Sequence, residues 1–127
     1  MKTMRILQAL LIMCCLISGC TGWRMDYGQP AAQFLDKDVA VKGKEYVGKK
    51  ITVKGTVIRI DVSNPKSAWI YLPEGIRCNL GTFKAMAENT GIGETVYVDG
   101  ILAKCEEGDV VLKPAMLRDP KAPFTPK

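Results

Sequence analysis

The chain has no histidine. That absence excludes histidine-based triads, most catalytic zinc sites and histidine ligation of haem. No Cys-X-X-Cys spacing occurs, so a redox pair of that kind is excluded as well. Gly91-Ile92-Gly93 has no third glycine at the spacing of a phosphate loop and reads as a connector. The carboxylate pairs Asp36/Asp38 and Glu106/Glu107 lie beside turns or at a helix start. Acid–base catalysis needs shifted pKa values in a sheltered cleft, and neither pair suggests one. No nucleophile stands next to a base, and no internal repeat is visible. The reading is a non-enzymatic chain without cofactor or metal.

Long apolar runs are lacking too. The one at 6–17 is about a dozen residues, against roughly 20 needed to span a bilayer. It follows Lys2 and Arg5 and ends in Ile17-Ser18-Gly19-Cys20. A basic start, an apolar middle and small residues before a cut site describe a secretory signal. Loss of Lys2 and Arg5 with it lowers the formal charge from +5 by two, a mildly basic balance. Cys78 and Cys105 stay behind, in a compartment that permits disulfides. A bridge between them would stabilise by roughly 3–4 kcal/mol. The alternative is two buried thiols acting as small apolar residues.

Cys20 after the small pair resembles the lipobox of bacterial lipoproteins. That resemblance implies alkylation of the Cys20 thiol by a diacylglycerol and cleavage before it. The expected organisation is a signal peptide at 1–19, a lipidated tether at 20–35, a folded domain at 36–119 and a Pro-rich disordered tail at 120–127. Two acyl chains suffice for stable anchoring in a membrane. Thr21, rather than Asp, after the lipidated cysteine implies the outer membrane, facing the periplasm, if the source is Gram-negative.

Pro30, Ala31, Phe34, Leu35 and Val39 suggest a short amphipathic helix ahead of the domain. From Ile51 the apolar period becomes two. Ile51, Val53 and Val57 share one register and Ile58 and Ile60 the other, so the first strand bends near Gly55. Ser63-Asn64-Pro65 turns into a second strand, 68–72, and Pro73-Glu74-Gly75 into a third, 76–80. Thr82 reads as the N-cap of a short helix carrying Phe83, Met86 and Ala87 on one face, ended by Gly91. A fourth strand spans 94–103. An acidic turn at 106–109 leads to a fifth strand from Val110 towards Leu117, with Pro114 at an edge or bulge. The order of strand, strand, strand, helix, strand, strand is that of the OB-fold, a five-stranded Greek-key barrel. The expected class is therefore all-β with one short helix, plus the helix that precedes it.

Three stretches strengthen this: Tyr46-Val47-Gly48-Lys49-Lys50-Ile51-Thr52-Val53-Lys54-Gly55-Thr56-Val57, Arg77-Cys78-Asn79-Leu80 and Gly93-Glu94-Thr95-Val96-Tyr97-Val98-Asp99-Gly100. In order and spacing they resemble a family of small bacterial lipoproteins whose OB-fold is likened to tRNA anticodon-binding domains. The resemblance covers roughly 36–118. It implies the fold and an envelope location, not a ligand.

On the second and third strands, Trp69, Tyr71, Arg77 and Asn79 would share the outer face, the usual OB-fold ligand platform. Rings beside cations stack bases or sugars and pair with anions. The alternative places the rings inside the barrel. Lys42, Lys44, Lys49, Lys50 and Lys54 form a basic run. It could follow a polyanion, meet anionic headgroups near the anchor, or be a solvated surface. The leading expectation is a lipid-anchored binding module for an envelope protein, glycan or small anionic ligand. The alternatives are a single-stranded nucleic-acid binder and a structural or stress-related envelope component.

Overall fold

The computed structural model describes residues 29–127; the expected leader at 1–19 and Cys20 lie outside them. The strands are β1 (Ala32–Leu35), β2 (Lys50–Thr56), β3 (Arg59–Asp61), β4 (Ala68–Leu72), β5 (Ile76–Gly81), β6 (Thr95–Glu106) and β7 (Asp109–Arg118). Two short helices, α1 (Val39–Lys42) and α2 (Lys84–Glu88), interrupt them. All seven strands join one mixed sheet in the order β1-β2-β6-β7-β5-β4-β3, open at its two edges.

The five expected strands are all present, in an OB-like arrangement. The first is split into β2 and β3, which pair with opposite ends of the sheet. The switch falls at Val57 and Ile58, two residues past the expected bend. The Val57 N–H donates to Glu94 O at 2.9 Å, on the β6 side, and the Ile58 N–H to Tyr71 O at 2.9 Å, on the β4 side. One bent segment thus serves both flanks of the sheet, which stays open where a closed five-stranded barrel was expected. Gly55 has a different task. A Cβ there would come within 3.1 Å of Leu72 and 3.3 Å of Asp36, so its bareness lets neighbouring elements pack close.

Alternation supplies the core. Ile51, Val53 and Val57 from the first strand meet Ile70, Leu72, Ile76, Leu80, Val98, Leu102 and Leu112, all fully buried or within 1% of it. The two branches of β7 are offset by a bulge. Gly100 pairs with Ala115 but Leu102 with Leu112, which sets Lys113 and Pro114 against the single residue Ile101, one extra residue on β7, at the proline where an edge or bulge was expected.

Several expectations need correction. Ala32–Leu35 is a strand parallel to β2, not helix or tether. Ala32 and Phe34 are buried at period two, and the open edge of β2 supplies hydrogen bonds, beginning with the Ala31 N–H to Lys50 O at 2.8 Å. The preceding helix is reduced to the single turn α1, after a 3-10 turn at Asp36–Asp38. α2 has no side-chain cap, so Thr82 does not cap it, and Phe83 is exposed. The tail at 120–127 is extended but docked. Gln33 donates from Nε2 to Pro123 O, its Oε1 accepts from the Thr125 N–H, and its backbone oxygen accepts from the Lys127 N–H. Phe124 meets Tyr97 edge-on at 5.2 Å.

Cys78 and Cys105 are free, so the possible bridge is not formed. Each is held elsewhere. Cys78 sits in the core between Ile70 and Leu112, where burial pushes its thiol up to about 12. Cys105 directs its Sγ to Val39 O at 3.3 Å, and burial raises its thiol pKa against the opposing charge of Lys44.

Candidate binding face

Inward positions on β4 are Ala68, Ile70 and Leu72, so Trp69 and Tyr71 point outward and are half-buried. Antiparallel pairing sets Trp69 opposite Asn79 and Tyr71 opposite Arg77 on β5. On the other side, β3 sets Arg59 against Tyr71 and Asp61 against Trp69. The result is two stacks. The Arg77 guanidinium lies 5.7 Å from the Trp69 ring centroid, and Arg59 lies 4.9 Å from that of Tyr71. Each contact places a guanidinium over the face of a ring, where the ring quadrupole attracts it.

Trp69, Tyr71 and Arg77 therefore lie on the outer side of the sheet, as the alternation indicated; Asn79 differs. Asn79 is only 4% exposed. Its amide donates to Ser67 Oγ at 3.0 Å and its carbonyl accepts from the Gly81 N–H at 2.7 Å. Its side chain is committed to the end of β5, where the pairing with β4 shifts register. Arg59 belongs to the face and was missed. It pairs directly with Tyr71, and extending the alternation past the bend would have found it.

Charge on this face is balanced. Arg77 binds Asp109 at 3.0 Å, Lys104 binds Asp109 at 2.6 Å and Glu106 at 3.7 Å, and Arg59 lies 3.8 Å from Asp61. Hydrogen bonds from Lys104 and then Arg77 hold the Asp109 carboxyl below its usual range. The Ser63 hydroxyl and N–H do the same for Asp61. For a carboxylate with a lowered folded pKa, the stabilisation is present above the unfolded value of about 4 and is lost as pH falls through the folded one. An Asp109→Asn variant should therefore show a shallower fall in urea midpoint between neutral pH and pH of about 3. Parallel curves for the two proteins would show that the pair contributes nothing.

The lysine run is divided by the fold. Lys42, Lys44 and Lys49 gather around α1 and Tyr46, with Lys49 5.7 Å from the Tyr46 centroid. Lys50 opens β2, and Lys54 lies apart, 5.5 Å from the Tyr97 ring. Elsewhere the fold buries a polar cluster that no sequence pattern marked. Asp99 accepts from the Thr52 hydroxyl and pairs with Arg118 at 3.1 Å, beneath the docked tail. Among the described residues no group of three or more metal-ligating side chains converges.

No family model and no curated protein sequence matches the chain. Solved structures do. A proposed aspartyl-tRNA synthetase of Leishmania major aligns at 13% identity and a TM-score of 0.51, over 72% of this chain and 22% of that one. At that identity the likeness shows a shared fold. An asparaginyl-tRNA synthetase of Entamoeba histolytica, in complex with asparaginyl-adenylate, aligns at 14% identity and 0.45, over 77% of this chain and 25% of that one. A proposed nucleic acid-binding lipoprotein of Klebsiella pneumoniae aligns at 14% and 0.46, over 65% and 81%.

Proposed function

We propose that this chain is a non-enzymatic binding module, held at the cell envelope by acylated Cys20 and binding through the outer face of β3, β4 and β5. One observation carries the reading: Trp69 and Tyr71 lie side by side on the outer side of β4, half-buried, each with a guanidinium over its ring. Stacking on such rings contributes about 1–3 kcal/mol per planar group. The neighbouring cations are already matched by carboxylates. The face therefore offers flat apolar surface and hydrogen-bonding edges without a strong positive field. That suits a sugar ring or the surface of an envelope protein. The leader and the lipobox at 17–20 support the envelope location, and the resemblances at 46–57, 77–80 and 93–100 support the small-lipoprotein family.

A second reading, a single-stranded nucleic-acid binder, is favoured by the same stacks. Its affinity would rest on phosphate contacts and fall steeply with salt. A titration with a fluorescent single-stranded oligonucleotide of about twelve nucleotides separates the two. The expected result is no saturable binding at low ionic strength. Saturable binding that weakens tenfold or more at moderate salt, and is lost in Trp69→Ala, would establish the nucleic-acid reading instead.

A further inference from the structure

The connection at 41–49 combines features absent from the sheet face. Val41 is 78% exposed and Val47 is 49% exposed, and Lys42, Lys44 and Lys49 stand among them. An open groove of about 470 Å³ is lined by Val41, Lys42, Lys44, Glu45, Tyr46 and Lys127. Two ammonium groups, from Lys49 and Lys127, each lie 5.7 Å from the Tyr46 ring centroid. The docked tail brings Lys127 there, and Lys42 Nζ donates to Lys127 O at 3.2 Å. Like charges are thus gathered around one ring, with Glu45 the one acidic side chain in the lining. The ammonium groups of Lys44, Lys49 and Lys127 make no ion pair with an Asp or Glu among the described residues, whereas Arg77 and Lys104 on the sheet face do.

Topology says what could cover this surface. The described chain enters at Gln29, and Ala31 is hydrogen-bonded to Lys50, beside the lysine cluster. About ten residues separate that entry from Cys20, a reach of at most roughly 35 Å. Any bilayer that holds the acyl chains is therefore within reach of this edge, at high effective concentration. Exposed valines ringed by lysines match the boundary between acyl chains and anionic headgroups.

We infer that the segment 41–49, with Lys127, docks on an anionic lipid surface and orients the domain on its membrane. This rests on the acylation of Cys20 proposed above. The docking segment adjoins β2, near one edge of the sheet, whereas Trp69 and Tyr71 lie on β4, near the other.

The test uses the full acylated chain in vesicles of phosphatidylcholine, with or without phosphatidylglycerol. Val47→Cys carries an environment-sensitive fluorophore; Cys78 and Cys105 are buried and Cys20 is acylated, so labelling is selective. The expected result is a blue shift in phosphatidylglycerol vesicles only, lost at high salt and in Lys42→Glu/Lys44→Glu/Lys49→Glu. Equal emission in both vesicles, or a shift that survives the triple substitution, would overturn the docking while leaving the anchor intact. Flotation with neutral vesicles reads the anchor separately. If the chain fails to float there, the acylation reading falls. Flotation with phosphatidylglycerol vesicles then still decides the docking: loss in the triple variant supports it, and no flotation of either protein overturns it.

Discussion

Gly75→Ala is expected to lower the stability of the folded domain by about 3 kcal/mol or more. Gly75 lies in the turn between β4 and β5 with φ at 73°, the left-handed region that costs an alanine roughly 1–2 kcal/mol. Space makes matters worse. A Cβ at Gly75 would come within 2.1 Å of the Gly108 carbonyl oxygen, in the turn between β6 and β7. Backbone cannot swing aside as a side chain can. The two turns would have to separate, straining the Val110 N–H bond to Gly75 O at 3.1 Å and the start of the parallel pairing of β5 with β7. Thermal unfolding followed by circular dichroism should fall by roughly 10–20 °C. Gly48→Ala is the matched control. Its φ is 87°, but nothing lies within 4 Å of the added carbon. It should lose only the conformational part, roughly 1–2 kcal/mol. Equal losses in the two variants would show that the turns do not meet as described.

Asp99→Asn is expected to destabilise by about 3–5 kcal/mol. Asp99 is 3% exposed and Thr52 fully buried, and the Arg118 side chain is 16% exposed. Arg118 depends on both Asp99 oxygens and on Pro123 O, and its Nε already lacks a partner. Neutralising Asp99 leaves a part-buried guanidinium without its counter-charge, which is the costly way to break such a pair. Removing the whole cluster is different. Thr52→Val/Asp99→Leu/Arg118→Met should recover most of the loss, since an apolar set of similar volume needs no desolvation of charge. Urea unfolding of the single and triple variants checks both statements. A single variant as stable as the wild type would mean that Arg118 finds solvent or another partner.

The parts of the fold visible in the sequence are those governed by side-chain period. Ala68, Ile70 and Leu72 against Trp69 and Tyr71 could be assigned to opposite faces because each strand is buried on one side only. Pro114 announced its bulge because it has no N–H to offer the ladder. The first strand's double role was visible in its change of phase, though the bend came after Val57. What stayed hidden depends on distant partners. Ala32–Leu35 is too short to reveal its period, and its strand exists because β2 leaves an edge open. Gln33, ninety or more residues away from Pro123 and Thr125, docks a tail that composition alone marked as disordered. Asn79 shared the register of Arg77, but period cannot tell an outward residue that meets solvent from one engaged by Ser67. The cluster of Thr52, Asp99 and Arg118 comes from three strands and leaves no local pattern. The expected leader and the proposed acylation of Cys20 fall outside the described residues.

The claim on which the functional account rests is that an envelope-held domain binds its ligand with the face bearing Trp69 and Tyr71. Photo-crosslinking in intact cells tests it, with p-benzoylphenylalanine replacing Tyr71 or, for reference, Tyr97. Tyr97 is covered by Phe124 from the docked tail. The account predicts a discrete adduct of higher mass from position 71, recovered with the membrane fraction and lost when Trp69 is changed to alanine, and none from position 97. No adduct at position 71, or one at position 97 alone, would contradict it.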